Sequence, residues 1–242
     1  MMRILAGVAL VAWPVQASTT IVLRPSSTTP NSGDAYLRAA APSTNFGGAG
    51  ALVVSGAGAG NTNGEFQSVL KFDLAAVLSA LDSTFGAGQW SIDSLALELT
   101  AVPPNNSTFN ANAAGSVGVA WLATDSWTET GITWNGMSAL ISGGAQSMGA
   151  FFYNGGSPIT TQYLLTSAAG FATDLATGGI TSLRLFAADP DASMVMNSRN
   201  FGTAASRPAL IITASPEPSR ALLLLVGSAF VSLRRRRSSA GR

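Results

Sequence analysis

The 242-residue sequence contains neither cysteine nor histidine. Without cysteine no disulfide can form, and no thiolate nucleophile is available. Without histidine the Ser-His-Asp and Cys-His arrangements of nucleophilic catalysis fall away. Ordinary zinc and copper sites go with them, because they draw on imidazole or thiolate. Calcium stays open, since it takes carboxylate and carbonyl oxygens. Charge is sparse, at 10% of the residues, and it is unevenly placed. Between Ser18 and Ser215 six basic residues stand against eleven acidic ones, a net charge of about −5. That stretch has no basic stripe, which excludes nucleic acid as a partner. No apolar run reaches the roughly 20 residues of a comfortable membrane span.

What is present begins with two unusual ends. Residues 1–17 carry Arg3, a ten-residue apolar run over 4–13, and the small-residue pattern Val15-Gln16-Ala17. This is the pattern of a secretory signal peptide, shorter than a transmembrane helix. The other end, residues 216–242, reads Pro216-Glu217-Pro218-Ser219, then an uncharged run over 221–233, then Arg234, Arg235, Arg236 and Arg237. The two prolines are expected to stop any arriving strand and to make an extended spacer. Thirteen apolar residues form a helix of about 20 Å, short of the roughly 30 Å hydrocarbon core. Flanking arginines reach the interface by snorkelling, and an arginine cluster marks the cytoplasmic side. This tail resembles the PEP-CTERM sorting signal of Gram-negative bacteria. The resemblance implies an exosortase as processing partner and a transient stay in the inner membrane. It also implies a final place at the cell surface or in the extracellular matrix, with exopolysaccharide and biofilm.

Between the ends, residues 18–215 are punctuated by Gly, Asn, Ser and Pro, with short apolar pieces between. Period-two alternation over 66–74, 94–99 and 194–199 predicts half-buried strands. The evenly apolar segments 180–187 and 208–214 predict central strands. Further strands are expected near 20–23, 35–38, 51–55, 116–122, 132–134, 148–152 and 160–164. One short helix is expected over 168–176, capped by Thr166 or Ser167 and ended by Gly178-Gly179. The glycine-rich run 47–60 lacks the Gly-Lys-Ser/Thr of a phosphate cradle and reads as loop, strand, loop. The fold class is therefore all-β, a jelly-roll-like β-sandwich with one short helix, flanked by a signal peptide and a hydrophobic sorting helix.

Spaced fragments carry a second resemblance. They are Asp34-Ala35-Tyr36-Leu37, Asn45-Phe46-Gly47, residues 68–74 and 92–99, Trp127-Thr128-Glu129, Gly131-Ile132-Thr133-Trp134-Asn135, the helical segment near Phe171 followed by residues 183–186, Asn197-Ser198-Arg199 and Arg207-Pro208-Ala209-Leu210. In order and spacing they resemble the DNRLRE domains, extracellular jelly-roll sandwiches related to carbohydrate-binding modules. This chain has Asn200 where that pattern carries an acid. The resemblance implies either a passive surface module or binding of polysaccharide, in some members acidic.

Sugar binding needs exposed aromatic faces and polar groups. The aromatic candidates are Trp121, Trp127, Trp134, Tyr36, Tyr153 and Tyr163. Trp127 and Tyr153 are the two expected at loop edges, although Trp127 is also placed to pack on Ile132. Lys71 and Arg199 are the cations that would meet the carboxylates of an acidic glycan. The competing reading pairs each with a nearby acid such as Asp73 or Glu129. Asp189 and Asp191 put two carboxylates in one turn, a candidate calcium site or simply a turn. An enzyme would have to work with carboxylates alone, among Glu65, Asp73, Glu98 and Glu129, and nothing in the sequence pairs them. The preferred expectation is an exported, non-catalytic surface or matrix protein without a required cofactor. A module binding an acidic polysaccharide is the alternative, and a glycan-active enzyme comes third.

Overall fold

The computed structural model describes residues 18–104 and 112–217. The predicted signal peptide lies outside them, as do Pro218, Ser219 and Arg234 to Arg237. The described chain runs β1 (Thr19–Leu23), β2 (Gly33–Arg38), β3 (Ala51–Ser55), β4 (Phe66–Asp73), α1 (Ala75–Phe85), β5 (Trp90–Ala101) and β6 (Gly115–Leu122). It continues through α2 (Trp134–Ser142), β7 (Ala145–Tyr153), β8 (Ile159–Leu165), α3 (Ala169–Thr177), β9 (Ile180–Ala187), β10 (Ser193–Asn197) and β11 (Ala209–Pro216).

All pairings are antiparallel, along the path β1-β11-β5-β10-β3-β4-β9-β6-β7, with β2 added to β4 and β8 to β5. Two links on this path are single residue pairs, Met196 with Ala101 and Ser55 with Phe66. The strands therefore form two broad arrays, one of β1, β11, β5 and β8 and one of β2, β4, β9, β6 and β7, with the β3–β10 pair between them. Leu95, Leu97, Leu99, Leu210 and Ile212 of the first array meet Leu70, Phe72, Val119, Leu183 and Leu185 of the second in one buried cluster. This is the expected all-β sandwich, faced by period-two side chains.

Residue β4 alternation also explains a difference from expectation. Leu70 and Phe72 point into the sandwich, and Val69 belongs to a second cluster with Ala35, Leu37, Leu122, Trp127, Ile132, Met137 and Leu140. Both faces of β4 are covered, so the strand is central rather than half-buried. The covering comes from the segment between β6 and α2 and from α2 itself.

Among the described residues three α-helices stand where one short helix was expected. Helix α3 is the expected one, shifted by a residue. Gly178 ends it in the left-handed conformation at φ 64°, but Ala168 stands at its N-cap rather than Thr166 or Ser167. The N–H of Gly170 finds the side-chain carbonyl of Gln146 instead, at 3.0 Å. Helix α1 buries Val77 and Leu81, four residues apart, and Asp73 accepts the Ala75 N–H at 3.0 Å. Helix α2 replaces the strand expected over 132–134. Thr133 is its extended N-cap, and Met137 and Leu140 are its buried stripe.

A further correction concerns Pro216. The strand does not stop before it: Pro216 pairs in register with Trp90, and the Glu217 N–H donates to Gln89 O at 3.0 Å. Strand β1 begins at Thr19, opposite Ala214. Among the described residues no strand pairs with β11 at Pro216 on the side away from β5, and a residue without an N–H is tolerated at such a position.

Candidate functional site

Three of the four residues expected to meet a glycan, Lys71, Trp127 and Arg199, line one cleft, and Tyr153 does not. The cleft has a volume of about 480 Å³ and is lined by Asn31, Ser32 and Gly33, by Lys71, by residues 125–130 and by Ile180 and Arg199. Lys71 reaches it because it follows Val69 on the outer face of β4. Arg199 reaches it from the turn after β10. The roof is the segment following β6, which carries Asp125, Trp127 and Glu129.

The cations that line this cleft are already engaged. The Lys71 ammonium donates to Asp125 O at 2.7 Å and to Trp127 O, and it sits 4.4 Å from the centroid of the Trp127 ring. Burial lowers its pKa, with Asp125 pulling the other way. These partners are not the acids Asp73 or Glu129 that sequence reasoning offered it. Arg199 does pair with Glu129, through its Nε at 3.1 Å and its Nη2. Its Nη1 donates to Ser26 O at 2.6 Å, and its backbone N–H donates to Asp34 Oδ2 at 2.6 Å. Asn200 completes the cage, donating to Glu129 Oε1 at 2.8 Å and to Gly47 O at 3.2 Å. An acid at 200 would offer Glu129 no donor.

Trp127 lies in the expected irregular segment and packs with Ile132, as one reading held. Its ring is buried, at 6% exposure. Its Nε1–H donates to Ser182 Oγ at 3.0 Å, and Ser182 donates on to Asp125 Oδ1 at 2.5 Å. Burial raises the Asp125 carboxyl, and Ser182 opposes the shift. Tyr153 does stand at a loop edge, as the last residue of β7, but its ring is turned inward rather than to a ligand. It is 2% exposed in the sandwich core, and its hydroxyl donates to Gly156 O at 2.9 Å. Burial raises that hydroxyl to about 12. Tyr163 is buried against Phe151, Tyr36 is stacked on Phe46, and Trp121 is buried with its Nε1–H on Asp174 Oδ2 at 2.7 Å. Trp134 is partly buried against the second cluster.

Several of the spaced fragments thus share a physical role, while Arg207 bonds to Phe201 O apart from it. Asn45 donates its amide to both Glu129 O and Ile132 O at 2.7 Å. Gly47 lies so close to the Glu129 backbone that a Cβ would collide with it. Together with Asp34, Lys71, Arg199 and Asn200 they clamp the 125–132 segment onto β2 and β4. Asp189 and Asp191 sit apart from this knot. Asp189 Oδ1 accepts the Asp191 N–H at 3.0 Å, the hydrogen bond of a simple Asx turn. Among the described residues no three acidic side chains cluster to hold a metal ion.

Sequence reasoning passed over Trp90. It opens β5, is half-buried, and donates its Nε1–H to Asp82 Oδ1 at 2.8 Å. It lines a second and larger cavity, of about 630 Å³, between α1, α3 and β5. The signal available was Asp82, at the end of a Val77–Leu81 helical stripe and eight residues before a tryptophan.

A search of curated proteins returns no match. A model of carbohydrate-binding module family 96 matches residues 25–148, just over half of the chain. The matched stretch holds Asp34, Asn45, Gly47, Lys71, Trp127 and Glu129, six of the side chains and backbone positions that build the knot, and with this match the chain belongs to carbohydrate-binding module family 96.

Proposed function

We propose that this chain is an exported, non-catalytic protein that holds carbohydrate at the cell surface or in the extracellular matrix. The family match over residues 25–148 carries the reading. The cleft carboxylates support its non-catalytic half. Glycoside hydrolysis needs two available carboxyl groups about 5 to 10 Å apart. Here Glu129 is held by Arg199 and Asn200, and Asp125 is held by Ser182. Residues 1–17 act as the export signal. Residues 216–242 act as a sorting address, read by an exosortase while the chain is in the inner membrane. Because Pro216 and the Glu217 N–H are held by the sheet, processing falls beyond that N–H.

The test is a glycan screen with the full chain, followed by analysis of the retained glycans after prolonged incubation. Retention of a polysaccharide with its chain length unchanged is the expected outcome. Absence of any retained glycan would remove the binding reading, and shortened products would remove the non-catalytic one.

A further inference from the structure

The polar cleft offers a sugar little. Its tryptophan is buried, its ammonium is spent on two carbonyls, and its guanidinium is spent on Glu129 and two loop carbonyls. The cavity between α1, α3 and β5 has the complementary properties. Trp90 packs part of its ring on the sandwich core and turns the rest to the cavity. Leu78, Ile92 and Ala172 extend this apolar surface. Asp82 anchors the indole edge: its Oδ1 takes the Trp90 Nε1–H at 2.8 Å and the Gly88 N–H at 3.2 Å. Its Oδ2 takes no donor among the described residues. A ring fixed at its N–H edge, with a free carboxylate oxygen beside it, matches a sugar ring in two ways. The indole face takes the axial C–H groups, and the carboxylate takes hydroxyl protons.

Charge selects the class of sugar. Among the described residues Asp82 is the one charged side chain lining this cavity, and no cation among them lines it. A uronate carboxylate placed there would face Asp82 without compensation. A neutral, hydroxyl-rich pyranose meets no such penalty. Resting on the carbohydrate-binding reading above, we propose that the Trp90–Asp82 cavity is the glycan subsite of this protein and that it takes a neutral pyranose unit.

Isothermal titration of the full chain against neutral gluco-, manno- and galacto-oligosaccharides, with uronate oligosaccharides alongside, tests this. A neutral oligosaccharide is expected to bind. Trp90→Ala is expected to weaken it by roughly ten-fold or more, the scale of a lost aromatic contact. Because Trp90 also touches the core, Ala172→Gln serves as a second variant. Ala172 is exposed on α3, and a longer side chain there fills the cavity without disturbing packing. It should weaken binding similarly with an unchanged melting temperature. Wild-type protein that binds no oligosaccharide of either kind overturns the carbohydrate reading itself. Wild-type binding that survives both substitutions leaves that reading standing and overturns the assignment of the site. Binding confined to uronates overturns the neutral class.

Discussion

Asp34 is the most constrained residue of the knot. It is 2% exposed, and its Oδ1 has no hydrogen-bond partner among the described residues. Burial pushes its carboxyl up to about 7, with Glu129 adding to the shift and the N–H and charge of Arg199 opposing it. In the unfolded chain the same group ionises near 3.8. The folded state therefore holds the extra proton between about pH 4 and pH 7. The stability that neutral Asp34 contributes is fully present below that window and is lost as pH rises through it. Relative to Asp34→Asn, the wild type should lose about 2–3 kcal/mol between pH 5 and pH 8, by urea unfolding at both values. A difference between the two proteins that stays flat with pH would show that Asp34 is ionised throughout. The neighbouring Arg199–Glu129 pair has side chains only 8% and 15% exposed. Removing one partner strands the other, so Arg199→Ala should cost about 3–5 kcal/mol. A double-mutant cycle with Glu129→Ala measures the coupling, and additive effects would contradict the buried pair.

At the scale of elements, the first turn of α3 is held by close contact rather than by a side-chain N-cap. Gly170, in that turn, lies against the six-membered ring of Trp121, where a Cβ would collide. Trp121 cannot swing aside freely, because its Nε1–H is tied to Asp174 on the same helix. Gly170→Ala should therefore destabilise the fold by about 1–3 kcal/mol through overpacking, although alanine favours a helix by about 1 kcal/mol. A raised melting temperature would show that the helix can move off β6. The two unexpected helices have different origins. Helix α1 has a readable stripe, Val77 and Leu81, behind an acid that accepts the Ala75 N–H. Helix α2 hides its start, because Ile132, Thr133 and Trp134 are good strand residues by propensity. Thr133 is extended, and the chain turns helical only at Trp134.

At the scale of the whole molecule, the described core draws on neither signal-like end. All three buried clusters are built from described residues between Ile21 and Ala214. Replacing Pro216-Glu217-Pro218 with alanines should leave the sandwich folded but the chain unprocessed and retained with the inner membrane. Mass spectrometry of extracellular material from a host with a working exosortase checks this. Protein still carrying Arg234 to Arg237 there would contradict the sorting role. Metal removal should matter little. Asp189 and Asp191 are engaged in an Asx turn, so EDTA should leave the melting temperature within a few degrees of the untreated protein. A larger drop reversed by calcium alone would place calcium at that turn. A drop reversed by zinc alone would be at odds with a chain lacking His and Cys.

The strand content was legible in the sequence because its signals are local. Period-two alternation over 66–74 and 94–99, and turn residues around 51–55, each act within a few positions, and β4, β5 and β3 stand there. The chemistry excluded by missing cysteine and histidine was likewise decided by composition. That Lys71, Trp127 and Arg199 belong together was visible only as a family pattern, since Lys71 and Trp127 are 56 positions apart and Arg199 and Glu129 are 70 apart. What only the tertiary structure decided is their state. Hydrogen bonds to carbonyls and to Glu129 consume the donors a glycan would need, and the segment they clamp covers the outer face of β4. Trp90 shows the reverse case. Its sequence neighbourhood carries no signal, and its half-buried ring and carboxylate partner exist because α1 and α3 close around the first residues of β5. Exposure and partner choice are long-range properties, and a single tryptophan in a string carries no local mark of either.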